Sequence, residues 1–126
     1  MSNTTILTLE KELKDWSKSL AFYEDELKVF EGRLEEVMNK NTAESVRAQT
    51  EHYQNQYILQ KEQFDLLQHA IREQKTTVEK HVQAGDHSVK KEVAEEQHLL
   101  RNKVQAAEKI FVDTKHKFYR FLSEVL

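Results

Sequence analysis

Residues 6–37 read ILTLEKELKDWSKSLAFYEDELKVFEGRLEEV, and their spacing decides the fold. Apolar residues recur at alternating steps of three and four: Ile6, Leu9, Leu13, Trp16, Leu20, Tyr23, Leu27, Phe30, Leu34 and Val37. No member of the series is polar. With Ile6 as an a position, every second member is an a and the others are d, which is the seam of a helix packed along its whole length. A run of roughly 32 residues spans about 48 Å at the usual rise. Gly32 falls at an outward f position, where it weakens the helix by about 1 kcal/mol relative to alanine but does not break it.

Two more series follow. NKNTAES, residues 39–45, reads as a turn in which Asn41 or Thr42 caps the next helix, with Glu44 placed three residues after Asn41 as in a capping box. The second series is Val46, Thr50, Tyr53, Tyr57, Gln60, Phe64, Leu67, Ile71, Gln74, Val78 and His81, and it carries polar members. QAGDHS, residues 83–88, ends it: Gly85 suits the left-handed position after a helix, and Asp86 or Ser88 suits an N-cap. The third series is Val93, Gln97, Leu100, Val104, Ala107, Phe111, Thr114, Phe118, Phe121 and Val125.

Each helix therefore has one apolar stripe, and both connections are too short for anything but antiparallel neighbours. The expected fold is all-α: an up-down-up antiparallel three-helix bundle with long, coiled-coil-like helices over about residues 5–39, 42–84 and 88–125, forming one domain. A helical hairpin that opens and pairs with a second chain is the rival topology. In architecture alone the arrangement resembles spectrin-type repeats, which are three long antiparallel heptad helices with a tryptophan in the first, as Trp16 is here. Only one unit is present, and the chain carries no motif of that family.

Composition agrees with this reading. The chain of 126 residues has no proline, no cysteine and 2 glycines, and 33% of it is charged, as in long amphipathic helices. Without cysteine there is no disulfide framework, thiol catalysis or thiolate zinc site. The amino terminus lacks a basic segment followed by a long apolar run, so no secretory signal is expected. No window approaches the ~20 apolar residues of a membrane span. A net charge of −3 gives no general attraction to nucleic acid or anionic lipid. A cytoplasmic protein is the expectation.

Counting back from each turn sets facing residues at common levels. Leu9, Gln74 and Gln97 share one, and Trp16, Leu67 and Val104 another. Tyr23, Gln60 and Phe111 share a third, followed by Leu27, Tyr57 and Thr114, then Phe30, Tyr53 and Phe118. Gln74 and Gln97 should thus meet, each amide satisfying the other in a buried polar layer that fixes register; the functional alternative is a polar pocket for a small ligand. The aromatic-rich segment of Phe30, Tyr53, Phe111, Phe118 and Phe121 reads as core.

The heptad letters also test the candidate chemistry. Glu95 and His98 have the acid-x-x-His spacing of carboxylate-bridged metal bundles, but they fall at f and b, away from the seam. His69 and Glu73 occupy f and c, and Asp113 and His116 occupy c and f. His52 lies at c, and only His81 lies on a seam. No catalytic residue, resident metal or cofactor is expected, since the chain offers no phosphate loop, no nucleophile elbow and no concave pocket. KHKFYRF, residues 115–121, interleaves bases with aromatics, and the segment from Arg101 to Arg120 holds six Lys or Arg against Glu108 and Asp113. Weak nucleic-acid binding through the third helix is therefore a competitor, although Phe118 and Phe121 are seam residues.

Large apolar residues repeat off the seam. Phe22 and Val29 sit at c, as do Leu59 and Leu66, with Ile58 beside Leu59 and Val112 at b on the third helix. Such repetition suggests a second contact surface. The expected function is a non-enzymatic interaction or scaffold module that self-associates as a homo-oligomer or binds a helical protein partner. The alternative from another class is a metal site assembled at a dimer interface from outward His and Glu residues.

Overall fold

In the computed structural model, which describes residues 5–85 and 89–126, the three series become three α-helices. Helix α1 runs Ile6–Lys40, α2 Glu44–Gln83 and α3 Lys91–Val125. Every buried residue among those described belongs to one of the three series. The other members (Trp16, Tyr23, Val46, Tyr53, His81 and Val125) are half-buried. Burial follows the period because two neighbours shield only the stripe that recurs every 3.5 residues.

The contacts fix an up-down-up order. Along α1, Ser17 meets Gln68, Tyr23 meets Phe64 and Phe30 meets Tyr57, so α2 runs antiparallel to α1. Gln74 meets Gln97 while Tyr53 meets Phe121, so α3 reverses again. Leu9 with Gln97, Tyr23 with Phe111 and Phe30 with Phe118 then place α3 parallel to α1.

The ends of the helices explain one departure from expectation. Thr5 caps α1, its hydroxyl accepting from the Thr8 amide at 3.2 Å. Asn41 does not cap α2. It closes α1 instead: its backbone N–H and its Nδ2 both donate to the Val37 carbonyl, at 3.0 and 3.1 Å, and Nδ2 also reaches the Val125 carbonyl at 3.4 Å. The residue before α2 is Ala43, with no side-chain cap. Binding Asn41 to the ends of α1 and α3 leaves α2 to start at Glu44, two residues later than a cap at Asn41 implies and one later than a cap at Thr42 implies.

Over its first half helix α2 is displaced by about one seam step against the expected levels, whereas α1 and α3 hold theirs and Gln74 still meets Gln97 at the level of Leu9. Tyr23 and Phe111 share a level with Phe64, their ring centroids 6.0 Å from it, and Gln60 sits one step on. There its Nε2 donates to Thr114 Oγ1 at 3.1 Å. At the far end of α2, Gly85 takes φ +81, and its N–H donates to the Val82 carbonyl at 3.0 Å. The expected caps Asp86 and Ser88, and the expected start of α3 at 88, lie outside the described residues.

Candidate interaction surface

Three grooves separate the helices, and they are closed very differently. Between α1 and α3, Glu12 (a g position) takes a two-point hydrogen bond from Arg101 (an e position), Nε to Oε2 at 2.7 Å and Nη2 to Oε1 at 2.6 Å. The Arg101 guanidinium also lies over the Trp16 ring at 5.9 Å. One heptad further along α3, the Tyr23 hydroxyl donates to Glu108 at 3.3 Å, and after another heptad Lys115 pairs with Glu26 at 2.9 Å. Burial would raise the Glu12 carboxyl, but hydrogen bonds from Arg101 and Gln97 and the Arg101 charge together hold it below its ordinary value.

The polar layer ties into this clasp. Gln74 Nε2 donates to Gln97 Oε1 and to the Val93 carbonyl, both at 3.3 Å. Gln97, fully buried, donates through Nε2 to the Leu9 carbonyl at 3.1 Å and to Glu12 Oε1 at 2.9 Å. The layer is thus a chain, Gln74–Gln97–Glu12–Arg101, that joins all three helices. Sequence reasoning paired the glutamines and missed Glu12 and Arg101. The signal was present as opposite charges at g of α1 and e of α3, the positions that flank a seam.

Between α1 and α2 the rim is polar. Ser17 Oγ donates to Gln68 Oε1 at 3.0 Å, and Gln68 Nε2 donates to the Ser17 carbonyl at 2.9 Å. Glu24 faces Asp65 across the same groove, and burial together with a hydrogen bond to Asp65 and the Asp65 charge raises its carboxyl.

The α2–α3 groove is the apolar one. About 460 Å³ in volume, it is lined by Leu59, Gln63, Phe64, Ala106, Ala107 and Ile110, among others. It continues toward the end of α3 past His52, Lys117 and Arg120. Leu59, Leu66, Leu99 and Ile110 along its edges are all more than half exposed. The two alanines keep the floor shallow enough for another backbone to approach.

The six off-seam apolar residues do not form one patch. Val29 borders α3 beside Tyr119 and Leu122, so it and Phe22, one heptad earlier, flank the α1–α3 groove with Val112. Leu59 lines the α2–α3 groove, and Leu66 holds the same c position one heptad on. Ile58, one heptad before Asp65, lies toward α1. The structure instead joins Leu59 to Ala106 and Ile110, with Leu66 one heptad on from Leu59 and Leu99 one heptad before Ala106 on the same helix faces; the sequence reading passed over Leu99, Ala106 and Ile110. Their positions on α3, c and g, signal exposure but not which neighbour they border.

The metal and nucleic-acid candidates stay apart. His69 Nε2 lies 2.8 Å from Glu73 Oε1, both well exposed. His98 has the Arg101 guanidinium 3.4 Å from Nδ1 and the Asn102 side-chain amide 3.5 Å from Nε2. Among the described residues, no three His, Cys, Asp or Glu side chains gather as a cation site. Two of the six bases between Arg101 and Arg120 are engaged by acids of α1, Arg101 by Glu12 and Lys115 by Glu26. No helix among the described residues is long and apolar enough to cross a membrane. No family model matches the chain, and no curated protein or solved structure matches it either.

Proposed function

We propose that the chain is a non-enzymatic, cytoplasmic interaction module that docks another helix along the α2–α3 groove. The observation that carries this reading is the contrast among the three grooves. Two are bridged by polar side chains, and the third exposes aliphatic residues above a floor containing two alanines. A helix laid there would bury Leu59, Leu66, Leu99 and Ile110, each contributing on the order of 1 kcal/mol, since more than a third of each residue is already covered. Its mechanism is shape and apolar complementarity, with charges at the rim setting register.

Site-specific photo-crosslinking tests the reading in cells. A photoreactive residue in place of Leu59 is expected to give a covalent protein adduct. The same residue in place of Ile58, equally exposed but on the α1 side, should give none. No adduct from Leu59, or equal adducts from both positions, would sink the proposal.

A further inference from the structure

The outer edge of α3 along this groove has an order that narrows the occupant. The groove lining places Lys103, Ala106, Ile110, Lys117, Arg120 and Glu124 on that edge. The same c and g positions, followed back by the heptad, add Glu92, Glu96 and Leu99, all exposed. From the start of the helix the edge therefore reads two acids (Glu92, Glu96), a middle of Leu99, Lys103, Ala106, Ile110 and Asp113, then two bases (Lys117, Arg120) and a terminal acid, Glu124. Glu92 and Arg120 lie equally far from Ala106, about 21 Å at the usual rise. Glu96 and Lys117 are also nearly equidistant from it.

An edge with opposite charges mirrored about its centre is complementary to itself when reversed. A two-fold axis demands this, because each residue i that meets j requires j to meet i. We infer that the occupant of the α2–α3 groove is a second copy of this chain, docked antiparallel about a two-fold axis at Ala106.

In that arrangement Glu92 of each copy faces Arg120 of the other, and Glu96 faces Lys117. Leu59, Leu66, Leu99 and Ile110 are buried between them. Asp113 falls opposite Leu99 and within one turn of Lys103 of the second copy. The small side chain of Ala106 lets the two helices approach at the axis, where a larger residue would hold them apart. A parallel pairing would set acids on acids and bases on bases, costing binding energy at both ends. The inference rests on the proposed helix-docking role and specifies its partner.

Sedimentation equilibrium of the purified full chain, with circular dichroism to confirm folding, tests it. The wild type is expected to be a dimer. Glu96→Lys and Lys117→Glu alone should each raise the dissociation constant about tenfold, because two symmetry-related pairs turn repulsive. An equal mixture of the two variants should restore wild-type affinity, since every charged pair then has opposite signs again. Ala106→Arg, at an exposed position, should yield monomer with unchanged helicity. A wild type that stays monomeric to high concentration, or a mixture no tighter than either variant alone, overturns the inference. In either case a Leu59 adduct to a different protein would leave the docking role standing, whereas no adduct would remove both.

Discussion

Tyr57 shows how the bundle tolerates a polar atom inside an aromatic core. The residue is buried among Phe30, Tyr53 and Phe118, with ring centroids 5.4–6.4 Å away, and its hydroxyl has no hydrogen-bond partner among the described residues. Burial accordingly pushes the phenol far above the ordinary tyrosine range. An unpartnered buried hydroxyl costs about 1–3 kcal/mol of desolvation, while the ring packing is independent of it. Tyr57→Phe is therefore expected to stabilise the fold by about 1 kcal/mol, read as a higher urea midpoint with an unchanged slope. A lower midpoint would mean the hydroxyl is satisfied in solution. Thr50 and Thr114 differ because each donates back to the carbonyl four residues earlier, at 2.8 Å. The seam placed all three residues inside, but it was silent on which of them would find a partner. Partnering depends on geometry between helices and not on period.

At the scale of the helix, Gly32 and Asn41 carry opposite lessons. A Cβ built on Gly32 meets nothing within 4 Å, and the residue is exposed in the interior of α1. Gly32→Ala should raise stability by about 0.5–1 kcal/mol through the lower entropy of the unfolded chain, measured by thermal or urea unfolding. Its outward f position was legible from the heptad alone. The role of Asn41 was not. As a potential cap it suited the end of α1 as well as the start of α2, and the Val125 carbonyl decides between them. That contact comes from the far end of the chain, so no local pattern announces it. The consequence is the displacement of α2, which moved Gln60 from the level of Tyr23 to a partnership with Thr114.

At the scale of the whole molecule, two carboxyls on different helix rims give stability opposite pH dependences. Glu12, held below its ordinary value by Arg101 and Gln97 despite its burial, contributes stability above about pH 4.5 that is lost as pH falls through its lowered folded value. Glu24, raised by burial and by Asp65, contributes stability below about pH 4.5 that is lost as pH rises through its raised folded value. Urea midpoints measured from neutral to acid pH should separate them. In Glu12→Gln the loss of stability on acidification should be shallower than in the wild type, because this contribution is already absent. Glu24→Gln should be more stable than the wild type at neutral pH, and the difference should shrink toward acid. Identical profiles for both variants would contradict the assignments.

The residue pattern alone specifies the three helices, the residues that line their common core, the parallel register of α1 and α3, and the meeting of Gln74 with Gln97. All of these follow from period and turn length, because a stripe recurring every 3.5 residues has only one way to be buried by two neighbours. Only the tertiary structure decided on which side of the α1–α2 pair α3 lies. Bundles of either hand bury the same seam, yet they exchange which flanking positions face each other. In one hand Glu12 meets Arg101; in the other, the e positions of α1 would face Ile110 and Lys117. That choice scattered Phe22, Val29, Ile58, Leu59, Leu66 and Val112 over three grooves, and it set Leu59 beside Ala106 and Ile110. The heptad separates inside from outside, whereas a surface also needs left and right.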